Sequence, residues 1–326
     1  MIQPVIAIHG GAGAMSRAAM SPEKEQEYTQ ALRSIVQAGQ AVLAQGGSAL
    51  DAVTEAVRLL EDCPLFNAGH GAVFTSAETH ELDASIMDGA TLRSGAIANV
   101  DCVRNPVLAA RKVMENSKHV FFVGKGAVDF ARDQGLDIVD PSYFSTEARR
   151  EQLLRVQREH PEAAVLDHDG QALVARGQPA PADPLDSDKK FGTVGAVAVD
   201  AQGNVAAATS TGGITNKQVG RVGDAPLVGA GCYANNRTCA VSTTGTGEMF
   251  IRMVAAYDVS ALMEYQGASL ADAADRVVHE KLPSIDGKGG LIAVDSQGNV
   301  ALPFNTEGMY RGYGRVGEDA VVAIYR

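Results

Sequence analysis

The nine-residue segment AVDAQGNVA, at positions 198–206, recurs almost unchanged as AVDSQGNVA at positions 293–301. In both copies an apolar alternation is interrupted by a Gln-Gly-Asn turn, which is the pattern of a β-hairpin. The sequence has no third copy, so the repeat indicates one turn used twice and not a solenoid. Two hairpins of this kind restrict the chain to folds with substantial antiparallel sheet.

Amphipathic helices are predicted in pairs around the strand-rich stretches. Ser21-Pro22 begins a long helix that fades at residues 44–48, and Ser48 caps a second helix that is stopped by Pro64. Another pair is predicted over 248–265 and 269–282. This grouping predicts an α+β fold of packed layers with few βαβ crossovers.

The remaining strands are predicted from short apolar segments. A buried strand at 4–8 is expected to open into a glycine loop at 9–13. Further strands are predicted at 72–75, 81–89, 94–100, 119–124, 192–200, 204–210, 227–234, 237–243, 290–296, 299–304 and 320–326. Residues 161–190 contain prolines and mixed charges without a sustained period, and this predicts a linker.

Composition excludes several classes of protein. The chain has 326 residues, 45% of them hydrophobic, and a formal charge of −11, which argues against a nucleic-acid partner because phosphate binding needs a basic surface. The N-terminus lacks a basic segment and no apolar run approaches the ~20 residues that span a bilayer, so we expect a cytoplasmic protein without a membrane partner.

The cysteines give no sign of a metal site. Cys63, Cys102, Cys232 and Cys239 form no CxxC pair and have no histidine at zinc-ligand spacing. Free thiols in a reducing compartment are the favoured interpretation. Cys232 and Cys239 could face each other across adjacent strands, although a disulfide there is disfavoured.

Familiar catalytic motifs are missing from the sequence, which has no GxSxG, HExxH or P-loop segment. His9, beside the glycine loop, is the one histidine in a notable position, and a structural role is favoured for it. A histidine-activated serine or a metal-bound water is therefore not the expected nucleophile.

Gly192-Thr193, at the boundary between the linker and a strong strand, allows two interpretations. In the simpler one, glycine ends a loop and threonine begins the strand. In the other, the bond between them is cut, because an N-terminal threonine has its own α-amine, of pKa ~7.7–8, to activate its hydroxyl. Glycine before the threonine tolerates the strained backbone that such a self-cleavage needs. The pair alone favours the simpler interpretation.

Downstream residues shift this balance. Arg221 could bind a carboxylate and Asp224 an ammonium, which together would recognise the head group of an α-amino acid, although a surface ion pair is the simpler alternative. Thr244 and Gly245 precede a predicted helix and are suited to an oxyanion hole, or they ease a strand-to-helix turn.

Taken together, many segments are similar to one family. HGGAGAM, FNAGHGAVFT, ELDASIMDG, NPVLAARKVME, GTVGAVAVD, ATSTGGITNK, GRVGDAPLVGAGCYANN, TGTGEMFIR and PFNTEGMYRG occur in this order over nearly the whole chain. The chain thereby resembles the isoaspartyl peptidase / plant-type L-asparaginase family of N-terminal-nucleophile (Ntn) hydrolases, and its bacterial members in particular.

The resemblance implies a fold and a maturation step. The fold would be a four-layer αββα sandwich, with two mainly antiparallel sheets between helical layers. A single Ntn-hydrolase domain, 1–326, would be cut into an α subunit, 1–192, with a flexible linker over about 161–192, and a β subunit, 193–326. Two αβ units would associate as (αβ)2.

The resemblance also implies roles for individual residues. Thr193 matches the nucleophile, and Thr211 matches the threonine that supports it. Thr244 and Gly245 match the oxyanion hole, with Asn67 nearby. Arg221 and Asp224 match the residues that bind the substrate's α-carboxylate and α-amine, here called the clamp. Gly213, Gly245 and Gly247 would lie beside the substrate, and Gly192-Thr193 would be the cleavage site. A structural sodium ion would be held by the main-chain carbonyls of Leu60, Glu61, Cys63, Phe66, Ala68 and His70. His70 is a bulky polar residue at a position where an aliphatic one is expected. A main-chain carbonyl ligand does not depend on the side chain, so the predicted site is unaffected.

The expected activity is hydrolysis of β-aspartyl dipeptides and L-asparagine through a β-aspartyl ester of Thr193, with L-aspartate released and without an organic cofactor. Two alternatives remain. One is a glycosylasparaginase-like amidase of the same fold, and the other is a non-catalytic protein that binds small amino acids.

Overall fold

The computed structural model describes residues 2–13, 15, 20–159 and 192–326. Twelve strands occur in these ranges. They are β1 Val5–Gly13, β2 Leu82–Asp88, β3 Ser94–Val100, β4 Phe121–Val123, β5 Val194–Val199, β6 Val205–Thr211, β7 Cys232–Ala234, β8 Cys239–Gly245, β9 Gly289–Asp295, β10 Val300–Ala301, β11 Gly308–Arg315 and β12 Val321–Tyr325.

Eight α-helices accompany the strands in the described ranges. They are α1 Pro22–Ala44, α2 Ala49–Asp62, α3 Pro106–Asn116, α4 Gly124–Asp133, α5 Glu147–Glu159, α6 Gly247–Met253, α7 Ala255–Gln266 and α8 Leu270–Arg276. Ser21 and Ser48 cap α1 and α2 as predicted, because each side chain accepts a hydrogen bond from the first turn of its helix.

The strands form two sheets. The larger has the order β12-β11-β1-β5-β6-β2-β3-β4, and the smaller has the order β10-β9-β8-β7. Only the pairing of β3 with β4 is parallel within these two sheets of the described chain. The structure therefore confirms an α+β chain with mainly antiparallel sheets.

The alternation of side chains along the strands divides the interior into three apolar clusters. In β5, for example, Val194 packs with residues of α1–α4, whereas Val197 and Val199 pack with residues of β7, β8 and β9. A third cluster joins the smaller sheet to α6–α8 through residues such as Val241 and Phe250. Each sheet thus has apolar contacts on both faces, and the larger sheet contacts the smaller one directly.

The repeated segment forms two hairpin turns with the same hydrogen bonds, as predicted. Asp200 accepts from the backbone N–H groups of Gln202 and Asn204, and its second oxygen accepts from the Asn204 amide. Asp295 makes the corresponding three bonds with Gln297 and Asn299. The first turn joins β5 to β6 and the second joins β9 to β10.

The predictions were wrong near the N-terminus and along β11. Residues 9–13 are not a loop, since they continue β1 and pair with β11 after a register shift between His9 and Ala12. No strand was predicted for β11, Gly308–Arg315, because its glycines and arginines hide the alternation. It is held by pairing with β1 on one side and β12 on the other.

Three shorter predictions were also wrong. Residues 72–75 make only an isolated bridge, from Thr75 to Lys217. The predicted buried strand at 119–124 is three residues long, and Phe121 and Val123 are exposed at the edge of the sheet. The predicted helix over 248–265 is broken at Val254, whose φ of 50° lies in the left-handed region.

The predicted linker falls outside the described residues apart from Gly192, and the division of the chain at Gly192-Thr193 stays a prediction. All four cysteines are described and are free thiols, as expected. In the described part of the chain, no helix combines the length and the apolar character needed to cross a membrane.

Candidate active site

The space between the two sheets changes from apolar to polar along the strands. Its apolar end is filled by residues such as Val5, Val197 and Val294. At the other end the same strands carry buried polar or small side chains: His9 on β1, Gly195 on β5, Thr209 and Thr211 on β6, and Ser242 and Thr244 on β8. Thr193 immediately precedes β5 at this end, so strand alternation gathers the hydroxyl groups in one buried region.

Thr193 and Thr211 face each other. The Thr193 hydroxyl lies 3.3 Å from Thr211 Oγ1, and both residues are buried. Thr211 Oγ1 also accepts a hydrogen bond of 2.9 Å from the backbone N–H of Gly213. The Thr211 hydroxyl is thereby fixed toward Thr193, and the two residues predicted to act together are adjacent.

Gly192 packs against Asn67 so closely that residue 192 has no room for a side chain. A β-carbon added there would lie 1.8 Å from Asn67 Cβ. The Asn67 amide is itself fixed, because its nitrogen donates to Gly213 O at 2.7 Å and its oxygen accepts from Val73 N at 2.9 Å. Asn67 therefore contacts both Gly192 and the Gly213 carbonyl, which engages one of its two amide N–H groups.

Arg221 and Asp224 border one space. A β-carbon on Gly247 would lie 2.8 Å from Asp224 Oδ1 and 3.0 Å from Arg221 Nη2, so only glycine leaves this space open. Asp224 is held by the Thr243 hydroxyl at 2.7 Å. The Arg221 guanidinium pairs with Glu248 at 2.9 Å, which means that a carboxylate already lies against it.

Burial raises the pKa of the Asp224 carboxyl group. Desolvation raises the pKa of Asp224 to about 6, although the hydrogen bond from Thr243 opposes the rise. An ammonium ion beside this carboxylate would stabilise its charged form and lower the pKa again. The group is thus suited to bind a cation near neutral pH and to lose that ability in acid.

Thr244 and Gly245 end β8 beside the clamp. The Thr244 hydroxyl is fully buried and its oxygen has no hydrogen-bond partner among the described residues. Gly245 has a φ of +154°, and a β-carbon there would lie 2.2 Å from Lys288 O. A buried hydroxyl without a partner is costly unless a ligand uses it, so Thr244 is a candidate donor to a bound oxygen.

A buried lysine supports the loop that carries Gly213. Lys217 is fully buried, donates to Glu81 O at 2.8 Å and lies 3.7 Å from Glu81 Oε2. Its side chain would touch a β-carbon on Gly213 at 2.8 Å. Burial lowers the pKa of Lys217, while the carboxylates of Asp83 and Glu81 oppose that change.

The predicted cation loop follows the C-terminus of α2, and two of its carbonyl groups accept backbone hydrogen bonds from within the loop. Glu61 O accepts from His70 N at 2.7 Å, and Cys63 O accepts from Phe66 N at 3.3 Å. Gly69, at a φ of +51°, approaches Glu61 O so closely that a β-carbon there would lie 2.4 Å from it. The His70 ring turns away and donates from Nδ1 to Tyr143 O at 2.6 Å. Carbonyl oxygens at a helix C-terminus are suited to a hard cation.

Sequence reasoning missed a set of polar residues behind Thr193. His9 contacts both Thr193 O and Ser242 Oγ, and Ser242 contacts Thr209. A signal existed in the sequence, because Val5, Ala7 and His9 share one face of β1. The interpretation of residues 9–13 as a loop concealed it.

The chain is similar to known proteins over nearly its whole length. The family model described as Asparaginase (Asparaginase_2) matches residues 2–324. The chain is 62% identical to the isoaspartyl peptidase of Escherichia coli K12 over 326 residues, covering 100% of this chain and 97% of that protein. It is 42% identical to a probable isoaspartyl peptidase/L-asparaginase 2 of Arabidopsis thaliana, covering 94% of both chains.

A human relative extends the comparison. The isoaspartyl peptidase/L-asparaginase of Homo sapiens is 39% identical over 309 residues, covering 94% of this chain and 92% of that protein. Since the family model spans nearly the whole sequence and the relatives are matched over almost their full lengths, this chain belongs to the asparaginase family (Asparaginase_2) that includes the isoaspartyl peptidases.

Proposed function

We propose that this protein is an isoaspartyl peptidase with L-asparaginase activity, which hydrolyses β-aspartyl dipeptides and L-asparagine and releases L-aspartate. The observation that carries the proposal is the Thr193 hydroxyl, buried directly after Gly192 and 3.3 Å from Thr211 Oγ1. The relatives' names, isoaspartyl peptidase and isoaspartyl peptidase/L-asparaginase, support the choice of substrate.

The precursor first cuts itself. The Thr193 hydroxyl attacks the Gly192 carbonyl carbon, the peptide bond to the Thr193 nitrogen breaks, and water hydrolyses the resulting ester. The products are subunits 1–192 and 193–326, and Thr193 gains a free α-amine. That amine, with an ordinary pKa of ~7.7–8, then accepts the hydroxyl proton during catalysis.

Substrate hydrolysis follows in two steps. Thr193 Oγ1 attacks the β-carbonyl carbon, the leaving amine takes a proton and departs, and a β-aspartyl ester remains. Water then cleaves the ester and restores the hydroxyl. Thr244, whose buried hydroxyl has no partner among the described residues, and the backbone N–H of Gly245 would donate to the oxyanion, and Thr211 would orient the nucleophile.

The clamp explains why the β-carbonyl is attacked. Arg221 would bind the α-carboxylate and Asp224 the α-ammonium, so that only the side chain of the substrate is free to reach Thr193. Glu248 must yield part of its contact with Arg221 when that carboxylate binds. Gly247 would leave room for the bound amino acid, since a β-carbon there would reach Asp224 and Arg221, and we propose that Gly213 lies beside it.

We also propose the finer architecture of the family for this chain. The three apolar clusters support a four-layer αββα arrangement in which helices cover the outer faces of both sheets. Two αβ units would associate as (αβ)2, which light scattering during gel filtration would test. The free thiols suit the cytoplasm, which we propose as its location.

A sodium ion is proposed for the loop after α2, held by main-chain carbonyls of Leu60, Glu61, Cys63, Phe66, Ala68 and His70. The ion would stabilise the loop by mass action. The melting temperature should then be higher in sodium chloride than in choline chloride. Gly69→Ala should abolish that difference because its β-carbon would strike Glu61 O, whereas Gly46→Ala, at a similar φ but with open space around it, should retain it.

Hydrolysis assays test the proposed function against its alternatives. We expect aspartate release from β-aspartyl-leucine and from L-asparagine, and little from a glycosylated asparagine. Preference for the glycosylated substrate would favour a glycosylasparaginase. Binding of aspartate without turnover of any of the three would favour a non-catalytic binding protein.

A further inference from the structure

Behind Thr193, a chain of buried hydrogen bonds connects the two sheets. His9 lies with Nδ1 3.0 Å from Thr193 O and with Nε2 2.9 Å from Ser242 Oγ. Ser242 Oγ lies 2.7 Å from Thr209 Oγ1. All of these residues are buried. His9, Ser242 and Thr209 have no part in the proposed chemical steps.

The chemistry of the partners fixes the direction of the two hydrogen bonds that His9 makes. A carbonyl oxygen only accepts, so His9 Nδ1 carries the hydrogen that is donated to Thr193. Complete burial lowers the pKa of His9 to about 3, which leaves the ring neutral and Nε2 as an acceptor. Ser242 therefore donates to Nε2, and its oxygen is left as an acceptor toward Thr209.

The Thr209 hydroxyl has a second acceptor within reach. Thr209 Oγ1 also lies 2.9 Å from Gly231 O, but that carbonyl accepts the backbone N–H of Thr243 at 3.0 Å. The carbonyl has two lone pairs, so the single Thr209 proton is shared between Gly231 O and Ser242 Oγ. The buried contacts run from Thr209 through Ser242 and His9 to the Thr193 carbonyl.

Gly195 explains why the network can exist. It lies on β5 two residues after Thr193 and pairs directly with His9 of β1. A β-carbon at 195 would lie 1.9 Å from Ser242 Oγ and 2.6 Å from His9 Nε2. The position that a side chain of residue 195 would occupy is thus filled by the hydrogen bond between His9 and Ser242.

We propose that His9, held by Ser242 and Thr209, is a positioning residue that fixes the carbonyl of Thr193 and thereby aims its hydroxyl and α-nitrogen. The inference rests on the proposed function, because it assumes that Thr193 is the nucleophile. His9 does not take the proton of Thr193. His9 acts both in self-cleavage and in substrate hydrolysis, because the Thr193 carbonyl stays bonded to Val194 after the chain is cut.

Two amide replacements separate positioning from mere support of the core. His9→Asn places its amide where Nδ1 lies and keeps a donor for Thr193 O, whereas His9→Gln places its amide where Nε2 lies and loses that donor. We expect His9→Gln to lower kcat by about 10- to 100-fold with little change in KM, as for a nucleophile misplaced by about 1 Å. His9→Asn should retain most of the wild-type kcat.

The experiment compares wild type, both His9 variants, Ser242→Ala and Gly195→Ala. For each protein we would measure kcat and KM for β-aspartyl-leucine, the fraction of chains that has been cut, by mass spectrometry, and the melting temperature. Ser242→Ala is the mild variant that keeps the test informative if a His9 variant fails to fold. It should lower kcat less than His9→Gln does, again without raising KM, and Gly195→Ala should lower kcat as strongly as His9→Gln.

The outcomes are distinguishable. Equal losses of melting temperature in both His9 variants with unchanged kcat in the folded, cut enzyme would overturn the inference and leave the proposed function standing. A raised KM at unchanged kcat would overturn it as well. An uncut and inactive wild type would overturn the proposed function and the inference together.

Discussion

Gly192 lies against Asn67 with no space for a β-carbon, which would be 1.8 Å from Asn67 Cβ. We therefore expect Gly192→Ala to displace either the Gly192 carbonyl or the Asn67 side chain, and to slow self-cleavage by tenfold or more. A time course of intact mass after expression measures this rate.

A second glycine provides the control for that variant. Gly126, in α4, has no atom within 4 Å of a β-carbon placed on it, so Gly126→Ala should be cut at the wild-type rate. Cleavage of Gly192→Ala as fast as Gly126→Ala would show that the close contact with Asn67 has no part in the reaction.

Thr211→Val removes one hydroxyl while keeping the shape of the side chain. Thr193 loses its partner at 3.3 Å, and the N–H of Gly213 loses an acceptor at 2.9 Å. We expect kcat for β-aspartyl-leucine to fall about 100-fold, within the range for a group that assists proton transfer. Thr211→Ser, which keeps the hydroxyl, should recover most of the activity, and equal kcat values for the two variants would count against this role.

The binding of aspartate should depend on pH through Asp224. Its pKa is raised by burial to about 6, so the carboxylate that binds an ammonium is present above pH 6 and is lost as the pH falls through that value. The inhibition constant of L-aspartate should rise about tenfold for each pH unit below 6. Asp224→Asn should remove this rise. The same pH dependence in Asp224→Asn and in the wild type would exclude Asp224 as the ammonium site.

Arg221→Ala should separate substrate binding from maturation. The loss of a charged partner for the α-carboxylate should cost about 2–3 kcal/mol, and so lower kcat/KM roughly 30- to 140-fold, while self-cleavage continues. Arg252→Ala, on the exposed side of α6, is the matched control and should leave both unchanged. Wild-type kinetics in Arg221→Ala would remove the clamp from the mechanism.

The elements that could be predicted from the sequence are those formed by residues close to one another in the chain. The two Gln-Gly-Asn turns and the caps at Ser21 and Ser48 depend on residues within four positions of one another. β11 was missed because GMYRGYGR has no apolar alternation, and its strand exists through its neighbours β1 and β12. The break at Val254 was missed as well, because a β-branched residue rarely adopts the left-handed conformation.

The candidate site was predictable to the extent that its residues lie in recognisable motifs. Thr193, Thr211, Arg221, Asp224 and Thr244 were named from the sequence, and the structure brings Thr193 to Thr211 and Arg221 to Asp224. Contacts across the sheets were not predictable. His9 and Ser242 are 233 positions apart in the sequence, and Gly195 appears as an ordinary strand glycine until their pairing is known.

The most direct test of the account is the intact mass of the purified protein together with that of Thr193→Ala. We predict two wild-type fragments, the smaller of which begins with Thr193, and a single uncut chain of 34.0 kDa for Thr193→Ala that is inactive on β-aspartyl-leucine. An intact, fully active wild type, or complete cleavage of Thr193→Ala at the same bond, would contradict it.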